Sequence, residues 1–83
     1  MRFLTDIPNA LFKISLYAWN NKYIVKIETD RFEQTYKISE FDLTDPDTEV
    51  PALLDEVFLA TVAARFEAMA ADWAASAERN EVG

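Results

Sequence analysis

Phe12-Lys13-Ile14-Ser15-Leu16-Tyr17-Ala18-Trp19, then Asn20-Asn21, then Lys22-Tyr23-Ile24-Val25-Lys26-Ile27-Glu28-Thr29: two alternating runs flank an asparagine pair. Successive side chains of a strand point to opposite faces, so alternation with period two marks a half-buried β-strand. Asn tolerates positive φ better than most residues, and Asn20-Asn21 therefore suits a two-residue type I′ turn. Phe32-Glu33-Gln34-Thr35-Tyr36-Lys37-Ile38 repeats the alternation after Asp30-Arg31, whose turn chemistry is weaker. Strands are expected near 11–19, 22–29 and 32–38.

The two hairpin registers test each other. A turn at Asn20-Asn21 pairs Ala18 with Tyr23, Leu16 with Val25 and Ile14 with Ile27. A turn at Asp30-Arg31 pairs Thr29 with Phe32, Val25 with Tyr36 and Tyr23 with Ile38. Together they put Phe12, Ile14, Leu16, Ala18, Tyr23, Val25, Ile27, Phe32, Tyr36 and Ile38 on one face. A slip of one residue in either hairpin scrambles this set. Only Gln34 spoils it.

Beyond the strands, Ser39-Glu40-Phe41-Asp42 begins with a cap-like Ser and suits one short turn. Residues 42–48 read as an acidic loop. From Glu49 to Arg79 there is no Gly, alanine abounds, and Pro51 falls where a first helical turn tolerates it. One helix is expected over 49–79. At about 100° per residue, Phe58, Leu59, Val62, Phe66, Met69 and Trp73 form one apolar stripe, expected on the sheet. Leu53, Val57, Ala60, Ala64 and Ala71 fall on the opposite side, where charge is usual. Ile14, Leu16, Val25, Ile27, Tyr36, Phe58, Val62 and Phe66 are the expected core. The fold class is α+β: a three-stranded antiparallel β-meander followed by one long C-terminal helix, with residues 1–83 as a single domain.

Length then bears on assembly. A helix of about 30 residues is about 45 Å long, whereas strands of about 8 residues span about 26 Å. The C-terminal turns outrun the sheet, and Phe66, Met69 and Trp73 are expected there. A chain of 83 residues buries a small core and usually needs a staple. There is no Cys for a disulfide, and no Cys or His for zinc. A homodimer is the expected staple, with Leu53, Val57, Ala60, Ala64, Phe66, Met69, Ala71 and Trp73 as its interface.

The net charge of −7 is unevenly spread. Residues 1–38 carry six cations against four acids, and residues 39–83 carry two against eleven. The acidity disfavours non-specific binding to nucleic acid or anionic membranes. The first ten residues do not resemble a signal peptide, and no stretch reaches the roughly 20 apolar residues of a membrane span. A soluble cytoplasmic protein is expected.

Catalytic chemistry finds little to work with. Nucleophilic catalysis lacks both His as base and Cys as nucleophile. The single Gly, at position 83, excludes glycine-rich phosphate loops. Asp42, Asp45, Asp47 and Glu49 superficially echo a calcium loop, but the glycine and the closing bidentate Glu are missing, so a solvated acidic loop is the reading. No cofactor and no enzymatic activity are expected.

The other sheet face is the surface that invites a partner. Lys13, Tyr17, Trp19, Ile24, Lys26 and Lys37 lie on it, with Ser15, Glu28, Glu33 and Thr35 between them. Three readings compete: mutual cover across the strands with Lys13 and Glu28 paired, a protein interface, where Trp and Tyr are favoured, or a platform on which single-stranded bases stack. Antiparallel strands followed by a dimerising helix are similar, in topology only, to the single-stranded-DNA-binding coactivator and Whirly-type architectures; no motif residue extends the likeness. The function expected is a non-enzymatic interaction module, self-associating through its helix and open to a protein partner. A weak single-stranded nucleic-acid binder is the alternative.

Overall fold

The computed structural model describes every residue from Met1 to Gly83. The fold is α+β, and the chain divides into two compact units, Met1–Leu53 and Leu54–Gly83. The first unit is a four-stranded antiparallel sheet, β1 (Arg2–Ile7), β2 (Lys13–Trp19), β3 (Lys22–Glu28) and β4 (Glu33–Ser39), in the order β1-β2-β3-β4. It ends in a short 3-10 turn at Glu40–Asp42 and a helix α1 (Pro46–Leu53). The second unit is the helix α2 (Glu56–Arg79) with its terminal turn.

Both hairpins hold the expected registers. Ile14 faces Ile27, Leu16 faces Val25 and Ala18 faces Tyr23, while Val25 and Tyr23 face Tyr36 and Ile38 of β4. Asn20 and Asn21 have φ of 54° and 62°, the positive pair that a type I′ turn requires. Thr29 N–H donates to the Phe32 carbonyl at 2.9 Å and closes the second hairpin around Asp30-Arg31.

The sheet has four strands rather than three. β1 pairs along β2, with Phe3 opposite Tyr17, Thr5 opposite Leu16 and Ile7 opposite Ile14. Leu4 is the extra residue of a bulge between Phe3 and Thr5. A bulge shifts side-chain alternation by one, which removes the period-two signal from a strand of six residues. As an edge strand, β1 also leaves nearly all its side chains exposed.

The apolar face of the sheet is buried as expected: Ile14, Leu16, Val25 and Ile27 are all 2% exposed or less. Each such side chain contributes about 1.5–3 kcal/mol. Tyr36 is half-buried. Gln34, the one polar residue on this face, is buried, and its Oε1 accepts a hydrogen bond from Tyr36 Oη at 2.6 Å. A buried amide is tolerated when its hydrogen bonds are made.

The region expected to be one loop and one helix is more divided. Ser39 Oγ accepts from Phe41 N–H at 3.3 Å and starts the 3-10 turn. α1 then begins at Pro46, inside the expected acidic loop, since proline suits a first helical position. Glu49 reaches back: its Oε1 accepts from the Thr44 N–H at 2.8 Å, from the Thr44 hydroxyl at 3.2 Å and from the Asp45 N–H. Helix α1 stops at Leu53, and Asp55 starts α2 as an extended N-cap whose Oδ1 accepts from Phe58 N–H at 2.8 Å. The expected single helix over 49–79 is thus two helices. Apolar spacing runs through the break, so periodicity alone conceals it.

Along α2, Val62 and Phe66 are buried, and Phe58, Leu59, Ala63, Met69 and Ala70 are half-buried. The helix closes in a left-handed cap. Glu81 has φ of 56°, its N–H donates to the Glu78 carbonyl at 3.2 Å, and Val82 N–H donates to the Ala77 carbonyl at 2.8 Å. These two bonds are the Schellman pattern.

Candidate interaction surfaces

The expected interface residues separate into four groups. Phe66 is 7% exposed within the single chain and is withdrawn from the interface, because a side chain already covered offers nothing to a second copy. Leu53 belongs to α1, on the other side of the Leu54-Asp55 break, so helical spacing no longer aligns it with the rest. Val57 (76% exposed), Ala60, Ala64 and Ala71 remain together on the exposed side of α2, and Ala68 and Ala75 continue their row.

Trp73 stands apart. Seven residues beyond Phe66, it lies on the same stripe, yet 65% of its surface is exposed. Met69, between them, is half-buried. Burial along the stripe therefore fades from Val62 towards the C-terminus. The Schellman turn brings Val82 back toward the helix, and Trp73, Ser76, Ala77, Asn80 and Val82 line a notch of about 260 Å³.

The outer sheet face is less open than its sequence implies. Ile24 is 1% exposed and lies beneath the surface, as does Ser15, whose hydroxyl donates to Asp6 Oδ1 at 3.3 Å. Tyr17 is half-buried: Phe3 packs edge-on at 5.7 Å between centroids, and Lys26 Nζ stands 5.1 Å from the ring centre. Lys13, Trp19 and Lys37 are exposed, with Trp19 at 51%. Phe3, 53% exposed, is a surface aromatic that sequence reasoning missed along with β1.

At the hairpin end of the sheet, β1 and the start of α1 frame an open cleft of about 700 Å³. Leu4, Leu16, Ala18 and Tyr23 line it, with Arg2, Lys22, Glu40 and Asp47 among its charged residues. The carboxylates of 42–49 do not converge on a metal site. Glu49 is committed to the Asp45 and Thr44 amides, in that order of effect, and they hold its carboxyl below the usual glutamate range. No helix is long and apolar enough to cross a membrane. Comparison with protein-family models, curated proteins and solved structures finds no match.

Proposed function

We propose that this protein is a non-enzymatic interaction module that self-associates through α2. The observation that carries the reading is Trp73, bare on the stripe that is closed at Val62 and Phe66. A Trp side chain buries about 150–250 Å², so at about 25 cal/mol per Å² the exposed two-thirds of Trp73 forgoes about 2–4 kcal/mol. A two-fold dimer covers it twice, and that is the usual closure of a small homo-oligomer. The exposed row of Val57, Ala60, Ala64 and Ala71 allows a second helix to approach closely.

Sedimentation equilibrium tests this. The 9.5 kDa chain should gain mass with concentration, and its melting temperature should rise with it, because association binds only the folded state. Trp73→Ala should weaken association about tenfold or more while leaving strand content intact. A chain that stays monomeric at high micromolar concentration, with a melting temperature indifferent to dilution, overturns the reading.

The alternative is a weak single-stranded nucleic-acid binder, favoured by exposed Phe3 and Trp19 on a face that also carries Lys13, Lys22 and Lys37. The Tyr17 ring, already engaged by Phe3 and Lys26, favours the protein reading instead. Anisotropy of labelled oligonucleotides separates the two. Stacking and phosphate contacts are strongest at low salt, so no binding there removes the nucleic-acid reading.

A further inference from the structure

The edges of the sheet differ. β1 is bulged between Phe3 and Thr5, and a bulge is one way that proteins blunt an edge against pairing. β4 holds an unbroken register with β3 from Glu33 to Ser39 and contains no proline. Two bonds fix which way its backbone groups point. Phe32 accepts from Thr29 N–H at 2.9 Å, and Glu40 N–H donates to the Asn21 carbonyl at 3.0 Å. Phe32 and Glu40 flank β4, and both are even-numbered. Antiparallel pairs alternate between bonded and non-bonded, so Gln34, Tyr36 and Ile38 turn their backbone groups toward β3. Glu33, Thr35 and Lys37 turn theirs away from the sheet, and all three are exposed.

Charge on the outer face is polarised along this edge. Glu33 stands in register with Glu28, a like-charge pair, and such pairs are destabilising. Lys37 stands opposite Ile24, with Lys22 and Lys26 at the diagonal positions. Acid is in surplus at one end of β4 and cation at the other. An antiparallel second copy of the same strand supplies the missing sign at both ends.

We propose that β4 is a self-complementary edge: two copies pair antiparallel about a two-fold axis through Thr35, with Glu33 of each opposite Lys37 of the other. The outward backbone groups allow this register, since Glu33 with Lys37 and Thr35 with Thr35 are then bonded pairs. The same register sets Phe32 against Ile38 and Gln34 against Tyr36 on the apolar face. Moving the axis to Gln34 or Tyr36 loses the charge pairs, and moving it to Glu33 or Lys37 sets like charges opposite each other. The product is one continuous antiparallel sheet of twice four strands. None of these residues is used in the α2 reading, so the proposal stands or falls apart from association through α2.

The experiment uses the full-length Trp73→Ala chain, in which the α2 surface is weakened, and adds Glu33→Lys or Lys37→Glu to it. Sedimentation and amide hydrogen exchange are read for each variant alone and for an equal mixture of the two. The Trp73→Ala chain should dimerise, with Thr35 and Lys37 amides protected in proportion to dimer. Each charge reversal should weaken this about tenfold or more, and the mixture should recover it as a heterodimer. In the mixed pair the cation introduced at position 33 meets the carboxylate introduced at position 37, and the unaltered Lys37 of one chain meets the unaltered Glu33 of the other. Glu33→Lys also removes the repulsion with Glu28, so its monomer should melt no lower, which distinguishes lost association from unfolding. The proposal is overturned if the Trp73→Ala chain is monomeric with unprotected Thr35 and Lys37 amides. It is equally overturned if the reversals change nothing, or if mixing restores nothing.

Discussion

At the scale of single residues, three polar side chains shape the fold through the backbone groups they satisfy or permit. Asn20 and Asn21 carry the left-handed turn that sets the β2–β3 register. Left-handed backbone costs most residues about 1–2 kcal/mol, Asn less and Gly least. Asn21→Gly should therefore hold or raise the urea midpoint, whereas Asn21→Ala should lower stability by about 1 kcal/mol. Glu49 works the other way, by accepting. Its carboxylate holds the Thr44 and Asp45 amides ahead of α1, and those bonds lower its pKa. A group whose folded pKa is depressed contributes stability above its unfolded pKa and loses it as pH falls through the folded value. Wild-type protein should consequently lose helicity by circular dichroism as pH drops below the usual glutamate range. Glu49→Gln should start less stable at neutral pH and show a flatter acid limb. Equal acid limbs in the two proteins would sink this account of Glu49.

Among the elements, the break between α1 and α2 is the feature with the clearest single cause. Asp55 is extended at φ −79° and ψ 174° and caps Phe58 N–H. Removing an Asp cap costs about 0.5–2 kcal/mol. Asp55→Ala should lower the urea midpoint accordingly, and Asp55→Asn or Asp55→Ser should restore most of the loss, because either side chain still accepts the bond. A full loss in all three variants would mean that the side-chain bond is not what starts α2. Strands show the same dependence on local chemistry. β2, β3 and β4 pair without a bulge, and their alternation, broken only at Ile24 and Gln34, made them legible in the sequence, but β1 carries a bulge and was not.

For the whole molecule, the matter is how many copies assemble and through which surfaces. The two proposed contacts, at Trp73 on α2 and at the β4 edge, would each be isologous, and a chain with two such contacts builds assemblies larger than a dimer. Wild-type protein should then exceed the mass of a dimer at high concentration. The Trp73→Ala and Lys37→Glu changes should each remove one contact, and the combined variant should be monomeric. The interface surfaces were only partly legible. Val57, Ala60, Ala64 and Ala71 are exposed as helical spacing implied, and Trp73 is exposed although it shares the stripe of Phe66, whereas Phe66 and Ile24 are buried. A helical wheel or a strand alternation gives direction, and burial depends also on what lies in that direction.

By itself the sequence determined the three-strand meander, its two registers, the α+β class and the helical character of the C-terminal half. These follow from period-two and 3.6-residue spacing and from turn residues, all of which are local properties of the chain. Tertiary structure alone decided the rest. β1 is recruited as an edge by the open side of β2, although its own bulged pattern does not announce a strand. Gln34 is accepted into the apolar face because Tyr36 completes its hydrogen bond. The apolar stripe of α2 is closed at Val62 and Phe66 and bare at Trp73, a difference that identical periodicity cannot encode, since hydrophobic spacing records which way a side chain points and not how far its cover extends.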